Sequence, residues 1–191
     1  MKLTAYLDII ARPGGEVTLH DVLSFIVQQL HYASKCGKIA LAFPNMGKKP
    51  GLGDFVRAFA EDIETLNRVS DFLAENPRMD EYAIVRRPKP VPDGITQYEC
   101  FSYFRLSHSL SEARRARLGK RGELLQKINM KCRENRRPLL DELPFVTLYS
   151  TTTKTQFRLH IQRSRCSYSE GEPNGYGLSR KSQALAIPVF D

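Results

Sequence analysis

The sequence lacks the features that define several common protein classes. No apolar run approaches the roughly 20 residues that a transmembrane helix needs. The amino terminus turns to alternation and charge within a few residues, which does not fit a signal peptide. We therefore expect a soluble protein without a membrane-spanning segment.

Residues that bind metals or form disulfides are few and scattered. The four cysteines are Cys36, Cys100, Cys132 and Cys166, and the four histidines are His20, His31, His108 and His160. The cysteines form no CxxC pair, so we expect neither structural disulfides nor a zinc site, and a reducing cytoplasm fits. The histidines have no HxxH or HExxH spacing, so a histidine-based metal site has no support.

Motifs for nucleotide binding and for hydrolase chemistry are also missing. The loop Gly47–Gly53 is rich in glycine and lysine, but it matches neither GxxxxGK[ST] nor GxGxxG. No GxSxG elbow or paired-carboxylate motif is present. We therefore predict no nucleotide cofactor and no other cofactor.

The positive charge of the chain is concentrated in one segment. The net charge is +8, and residues 105–137 hold 11 basic and 3 acidic side chains, which is also +8. The remaining residues carry 18 basic and 18 acidic side chains. A local field of this kind predicts an anionic partner, for which nucleic acid, an acidic membrane surface and an acidic protein are the candidates.

The first half predicts an alternation of strands and helices. Apolar residues alternate in Leu3–Ala11 and recur at helical spacing between Thr18 and Gly37, where Thr18 and Asp21 resemble a capping box. The predicted elements that follow are a strand at 39–43, a strand at 56–60, a helix at 61–75 with Ile63 on its apolar face, and a strand at 82–85. This β-α-β-β-α-β order predicts a ferredoxin-like (RRM-like) domain over residues 1–86, a type common among RNA-binding proteins.

A proline-rich stretch predicts the domain boundary. Residues 87–95 contain three prolines that alternate with other residues, which is typical of a stiff linker. Residues 96–191 are predicted to form an RNA-binding domain of α+β type. Its predicted elements are a strand at 96–107, an arginine-rich helix at 110–121 that ends at Gly122, a helix at 124–134, a hairpin of 145–149 with 156–162, and a last strand at 184–190.

The arginine-rich helix is the strongest candidate for RNA binding. Ser109 and Glu112 resemble the capping box that would open it. Its basic residues are Arg114, Arg115, Arg117, Lys120 and Arg121, and spacings of three and four place Arg114, Arg117 and Arg121 on one stripe. A solvated surface is the alternative, but arginine favours bidentate contacts with phosphate. Because the major groove of A-form RNA is narrow, a helix enters where a stem ends, so a hairpin is the natural target.

Four other residues have both a functional and a structural interpretation. His31 lies off the apolar face of its helix, where it is either a rim residue or a general acid or base near neutral pH. Ser150 begins a polar hairpin loop, for which ordinary turn chemistry is the simpler interpretation. Tyr176 lies between two glycines and packs over a turn or contacts a ligand. Phe157 alternates with Leu159, which is typical of a core position.

Taken in order along the chain, these residues resemble a known family. The resemblance includes Leu30-His31, the arginine-rich helix, the stretch 143–148 with Ser150, Phe157-Arg158-Leu159 and the stretch 176–179. Each block alone is weak, whereas the ordered set is specific. The chain resembles the CRISPR repeat endoribonucleases of subtype I-F, the Csy-type members of the Cas RNA-processing nucleases.

The resemblance implies a function and a role for each residue. Such enzymes bind the hairpin of a CRISPR repeat and cut once at the base of its stem without a metal. The upstream 2′-hydroxyl attacks the phosphate, which leaves a 2′,3′-cyclic phosphate and a 5′-hydroxyl. By motif, His31 transfers protons, Ser150 positions the 2′-hydroxyl, Tyr176 orients the histidine and Phe157 stacks on the terminal base pair.

The resemblance also implies partners and a location. The enzyme stays on its product, the mature crRNA, and joins the other subunits of the type I-F surveillance complex in the bacterial cytoplasm, with no membrane partner. The helix residues Arg117, Lys120 and Arg121 face the RNA groove. Tyr103 and Arg105 stand where the best-known member of the family has an arginine and a glutamine, and Ala116 replaces a helix arginine, so base readout near the stem bottom differs. The main alternative is a module that binds an RNA hairpin without cutting it.

Overall fold

The structure, a computed structural model, describes residues 1–106, 109–180 and 182–190. Contacts within the chain define two compact units. The first comprises Met1–Tyr103 and Pro144–Asp191, and the second comprises Phe104–Leu143. Both helices and antiparallel sheets are present, which confirms the predicted α+β class.

The amino-terminal part of the first unit forms one sheet with three helices. Its elements are β1 (Ala5–Ala11), α1 (Leu19–Ala33), β2 (Ala40–Ala42), β3 (Phe55–Ala60), α2 (Ile63–Ala74), α3 (Pro77–Tyr82), β4 (Ala83–Val85) and β5 (Lys89–Pro90). The sheet order is β2-β3-β1-β4, every pair is antiparallel, and β5 also pairs with β1. The order of the elements, apart from the short α3, is the predicted β-α-β-β-α-β, and it is compatible with a ferredoxin-like fold.

Local sequence signals explain where these helices begin. The Thr18 side chain accepts a hydrogen bond from the Asp21 amide and the Asp21 carboxylate accepts one from the Thr18 amide, so the predicted capping box is confirmed. The helix α3 was not predicted, although Asn76 at its N-cap and Pro77 in its first turn are common start signals. Ile63 is predicted on the apolar face of its helix, but it is not buried there, because it is the first residue of α2 and is 41% exposed.

A second sheet completes the first unit. Its strands are β6 (Tyr98–Tyr103), β7 (Phe145–Ser150), β8 (Thr155–Cys166) and β9 (Ile187–Pro188). Their order is β7-β8-β6-β9, with antiparallel pairing throughout. The hairpin predicted from 145–149 and 156–162 is confirmed as β7 and β8, whereas the predicted last strand is reduced to the two residues of β9.

The observed units do not follow the predicted boundary at 87–95. Within that stretch, β5 pairs with β1 through Pro90 opposite Ala5 and Lys89 opposite Tyr6. The stretch is therefore part of the first unit. The two compact units are defined by contacts between residues. The domains 1–86 and 96–191 remain a prediction.

The second unit is a pair of helices. They are α4 (Glu112–Leu118) and α5 (Lys120–Glu142), where α5 includes Pro138. The single helix predicted at 110–121 is therefore wrong. Gly119 breaks it, because its φ of 53° lies in the left-handed region that favours glycine.

The predicted signals at both ends of that helix also need correction. The N-cap is Ser111 rather than Ser109, and the Ser111 hydroxyl accepts a hydrogen bond from the Arg114 amide at 3.4 Å. Gly122 does not end a helix but lies buried inside α5. The helix predicted at 124–134 is confirmed within α5. None of the helices in the described ranges is long and apolar enough to cross a membrane.

Candidate active site

Side chains of α1 cover the free edge of β7. The Ser24 hydroxyl accepts a hydrogen bond from the Thr147 amide at 3.0 Å, and the Gln28 side-chain oxygen accepts one from the Tyr149 amide at 2.8 Å. Four residues along a helix advance about 6 Å, and two residues along a strand advance about 6.6 Å. Contacts that are four residues apart on α1 therefore match contacts that are two residues apart on β7. Because β7 is at the edge of its sheet, these bonds occupy amides that would otherwise be unpaired.

This pairing brings the end of α1 to the end of β7. His31 follows Gln28 by three residues, and Ser150 follows Tyr149 by one. At 100° per residue, His31 lies about 20° from Ser24 around the helix, so it belongs to the face that contacts β7. The fold therefore brings His31 and Ser150 to the same end of the helix–strand pair.

A loop after β8 holds the His31 ring. Nδ1 of His31 donates a hydrogen bond to the Gly175 carbonyl oxygen at 2.5 Å. Since a carbonyl can only accept, this bond places a proton on Nδ1 and leaves Nε2 as the acceptor of a neutral ring. The Tyr176 ring lies beside the imidazole, with centroids 4.8 Å apart and planes inclined by 31°.

Two contacts fix this loop to the start of β2. The Leu41 amide donates to the Gly177 carbonyl at 2.7 Å, and Lys38 pairs with Glu172 at 2.7 Å. The hydrogen bond from Lys38 lowers the pKa of Glu172 below its usual value. Gly177 is needed here, because its φ is 72° and a Cβ would lie 2.6 Å from Cγ of Leu41.

Phe157 connects the hairpin to the histidine through Tyr176. The ring centroids of Phe157 and Tyr176 are 5.9 Å apart, with planes inclined by 62°. In the β7–β8 register Ser150 lies opposite Thr155, and Leu148 lies opposite Phe157. Ser150 and Phe157 therefore share one face of the hairpin. The half-buried Phe157 packs against the core, as its alternation predicted.

Ser150 takes part in the hairpin turn. Its hydroxyl oxygen accepts a hydrogen bond from the Thr153 amide at 3.2 Å, which is the turn chemistry considered as the simpler interpretation. A serine hydroxyl has one donor and two acceptor positions. This bond uses one acceptor position, so the hydroxyl proton can still be donated to a substrate oxygen. The predicted role of Ser150 stays a prediction.

The basic candidates are divided between the two helices of the second unit. Arg114, Arg115 and Arg117 are exposed on α4, and Lys120 and Arg121 are exposed on α5. The stripe of Arg114, Arg117 and Arg121 on one helix is therefore wrong, because Gly119 interrupts it. Arg105 is also exposed in this unit, whereas Tyr103 is half-buried at the end of β6 in the first unit.

Sequence reasoning missed the residues that hold the histidine in place. Ser24 and Gln28 are polar residues four apart on α1, so they lie on the same side of the helix, a pattern that could have indicated a polar contact. The stretch 175–177 predicts a tight turn, and the Asn174-Gly175 dipeptide is a further turn signal that could have indicated the part that Asn174 plays in it. Among the described residues, no group of three or more histidine, cysteine or acidic side chains could hold a metal ion.

Comparison with known proteins covers both units. A family model described as "CRISPR-associated protein (Cas_Csy4)" matches residues 6–190. The "CRISPR-associated endonuclease Cas6/Csy4" of Pseudomonas aeruginosa (strain UCBPP-PA14) is 28% identical over an alignment of 191 positions, which covers 92% of this chain and 95% of that protein. The matched range includes each candidate residue named above.

Proposed function

The chain belongs to the Cas_Csy4 family of CRISPR-associated proteins, and from this we propose that it is an endoribonuclease that processes CRISPR precursor RNA. The family match confirms the resemblance inferred from the ordered motifs. The relative from Pseudomonas aeruginosa carries the name of an endonuclease, which supports the predicted enzyme class.

The observation that carries the proposal is the arrangement around His31. Its Nδ1 donates to the Gly175 carbonyl, its ring lies against Tyr176, and its helix ends where β7 ends at Ser150. With the proton on Nδ1, a neutral imidazole presents Nε2 as a proton acceptor. A ribose 2′-hydroxyl is a nucleophile already joined to the RNA, so the enzyme needs mainly to align it and to move protons.

The proposed reaction is an internal transesterification. The 2′-oxygen forms a bond to phosphorus and loses its proton, while the bond from phosphorus to the 5′-oxygen breaks and that oxygen gains a proton. The products are a 2′,3′-cyclic phosphate and a 5′-hydroxyl. His31 transfers protons and Ser150 positions the 2′-hydroxyl. This proton balance is complete without a metal ion, so we propose a metal-independent mechanism.

The aromatic neighbours of His31 have separate proposed roles. Tyr176 limits the orientations of the imidazole by packing against it. Phe157 lies next to Tyr176 on the hairpin face that it shares with Ser150. We propose that Phe157 stacks on the terminal base pair of the RNA stem, which would place the cut at the base of that stem. Stacking of a base on an aromatic ring contributes about 1–3 kcal/mol.

The second unit is proposed to hold the RNA hairpin. It contains 11 basic and 5 acidic residues, a net charge of +6, and the first unit carries the remaining +2. The proposed contacts come from Arg114, Arg115, Arg117, Lys120 and Arg121, with Tyr103 and Arg105. Arginine donors suit bidentate contacts with phosphate. We propose that the enzyme stays bound to the crRNA and joins the type I-F surveillance complex in the bacterial cytoplasm.

Two substrates test the reaction directly. The purified chain is incubated with its repeat RNA in excess EDTA, beside a repeat with a 2′-deoxy substitution just upstream of the cut. We expect cleavage of the first and binding without cleavage of the second. Loss of cleavage in EDTA would contradict the metal-independent mechanism. Binding without cleavage in any buffer would favour the alternative, a module that only holds the hairpin.

Replacing the histidine tests the proposed site. His31→Ala should lower the cleavage rate by roughly 10²–10⁴-fold, the usual contribution of a general acid or base, and leave the RNA affinity unchanged. His20→Ala is a matched control, because His20 lies on the same helix, hydrogen-bonds with Thr147 and is 11 residues from His31. A His31→Ala variant that cleaves at the rate of the control would remove His31 from the mechanism.

A further inference from the structure

Asn174 organises the loop that contacts His31. Its side-chain oxygen accepts hydrogen bonds from the amides of Tyr176 at 2.8 Å and Leu178 at 3.1 Å. Its backbone amide donates to the Leu178 carbonyl at 2.8 Å, and its carbonyl accepts from the Gly177 amide at 2.9 Å. Asparagine therefore closes this turn with its side chain as well as with its backbone.

The closed turn fixes the direction of one carbonyl group. Gly175 lies between Asn174 and Tyr176, so bonds at both neighbours hold the peptide groups on either side of it. Its carbonyl oxygen is the acceptor for Nδ1 of His31 at 2.5 Å. Gly175 has no side chain that could form a hydrogen bond of its own, so the direction of its carbonyl depends on the turn.

We infer that Asn174 is a positioning residue that sets the tautomer of His31. By holding the Gly175 carbonyl, it keeps the imidazole proton on Nδ1 and presents Nε2 to the substrate as a proton acceptor. In a neutral imidazole one nitrogen donates and the other accepts, so loss of a fixed acceptor lets the proton occupy either nitrogen. The inference rests on the proposed function only for its effect on cleavage.

The tautomer can be measured without any RNA. In a chain labelled with ¹⁵N at histidine, the chemical shifts of the two His31 ring nitrogens distinguish a protonated from an unprotonated position. We expect a protonated Nδ1 and an unprotonated Nε2 in the wild-type chain at a pH where the ring is neutral. In Asn174→Ala we expect averaged shifts that indicate both tautomers. Unchanged shifts in that variant would overturn the inference.

Two further variants separate the role of the side-chain oxygen from general loss of structure. Asn174→Asp keeps an oxygen at the same distance from the backbone, so it should retain the wild-type tautomer. Thr18→Ala removes a comparable cap at the other end of α1, about 20 Å from His31 along the helix, and it should leave the tautomer unchanged. If Asn174→Ala does not fold, Asn174→Gln, with its oxygen one bond further away, should give the same mixture of tautomers.

Cleavage rates connect the tautomer to the reaction. In single-turnover assays Asn174→Ala should be roughly 10- to 100-fold slower with unchanged RNA affinity, by analogy with residues that orient metal-bound histidines, and Asn174→Asp should restore most of the rate. A mixed tautomer with a wild-type rate would overturn the positioning role. If the wild-type chain shows the expected tautomer but no cleavage, the proposed function fails while the assignment of Asn174 stands.

Discussion

The two units of the chain differ in where their apolar side chains lie. The first unit buries residues of both sheets and of α1 and α2 in one continuous core. In the described part of the second unit, Phe104 is the only hydrophobic residue that is buried, whereas Leu124, Ile128 and Leu139 are about half exposed or more. The second unit nevertheless carries most of the net charge.

The difference shows what each unit is suited to do. A packed core permits little movement, so side chains attached to it, such as His31 and Tyr176, keep their relative positions. A helical pair with little core instead exposes long basic side chains to solvent, where they can adapt to an RNA backbone. The proposal therefore assigns proton transfer to the first unit and most of the affinity to the second.

Removing basic side chains from the second unit should have the largest effect on affinity. Arg117→Ala and Arg121→Ala should each weaken RNA binding by about 1–3 kcal/mol and reduce the slope of log affinity against log salt by about one. The cleavage rate of saturated enzyme should change little. The measurement is a binding titration at several salt concentrations.

A matched control comes from the first unit. Arg78→Ala removes an exposed arginine from α3 and should leave both the affinity and the salt dependence unchanged. Equal losses for the Arg78 and Arg117 variants would mean that binding depends on overall charge, which would contradict the division between the units.

A smaller effect is expected from the close approach of α4 to α5. A Cβ on Gly122 would lie 2.6 Å from the Arg115 carbonyl oxygen, so Gly122→Ala must push the two helices apart. Overpacking of this kind lowers the free energy of unfolding by about 1–3 kcal/mol. We expect weaker RNA binding with an unchanged His31 spectrum, because the core of the first unit is not altered. The control is Gly14→Ala, because no atom lies within 4 Å of a Cβ added at Gly14. A Gly122→Ala variant that binds RNA as tightly as this control would contradict the expectation.

The last difference between the two units is in the reactivity of their cysteine thiols. Burial, followed by the contact with the Cys100 thiol, raises the pKa of Cys166 to about 12. At pH 8 only about 10⁻⁴ of such a thiol is the reactive thiolate. Cys132 is exposed on α5, so a small alkylating reagent should modify Cys132 long before Cys166. Mass spectrometry of peptides from a short reaction measures this order, and early labelling of Cys166 would contradict it.

The sequence by itself determined most of the elements and the chemistry of the candidate residues. Helical spacing and the Thr18 cap predicted α1, and alternation predicted β1 and the β7–β8 hairpin. The two short helices, α3 and α4, were harder to predict. Propensity did not indicate α3, and a single glycine, Gly119, divided the predicted arginine-rich helix into α4 and the start of α5. Charge counting alone identified the segment that makes up most of the second unit, because its 11 basic residues lie within one stretch of the chain, 105–137.

Only the tertiary structure decided which of these residues meet. His31 and Gly175 are 144 residues apart in sequence, and Gln28 and Tyr149 are 121 apart. Periodicity reports which face of its own helix a residue occupies, but it holds no information about the segment that packs there. The fold supplied that segment, because the unpaired amides of an edge strand need acceptors and the polar side chains of α1 provide them.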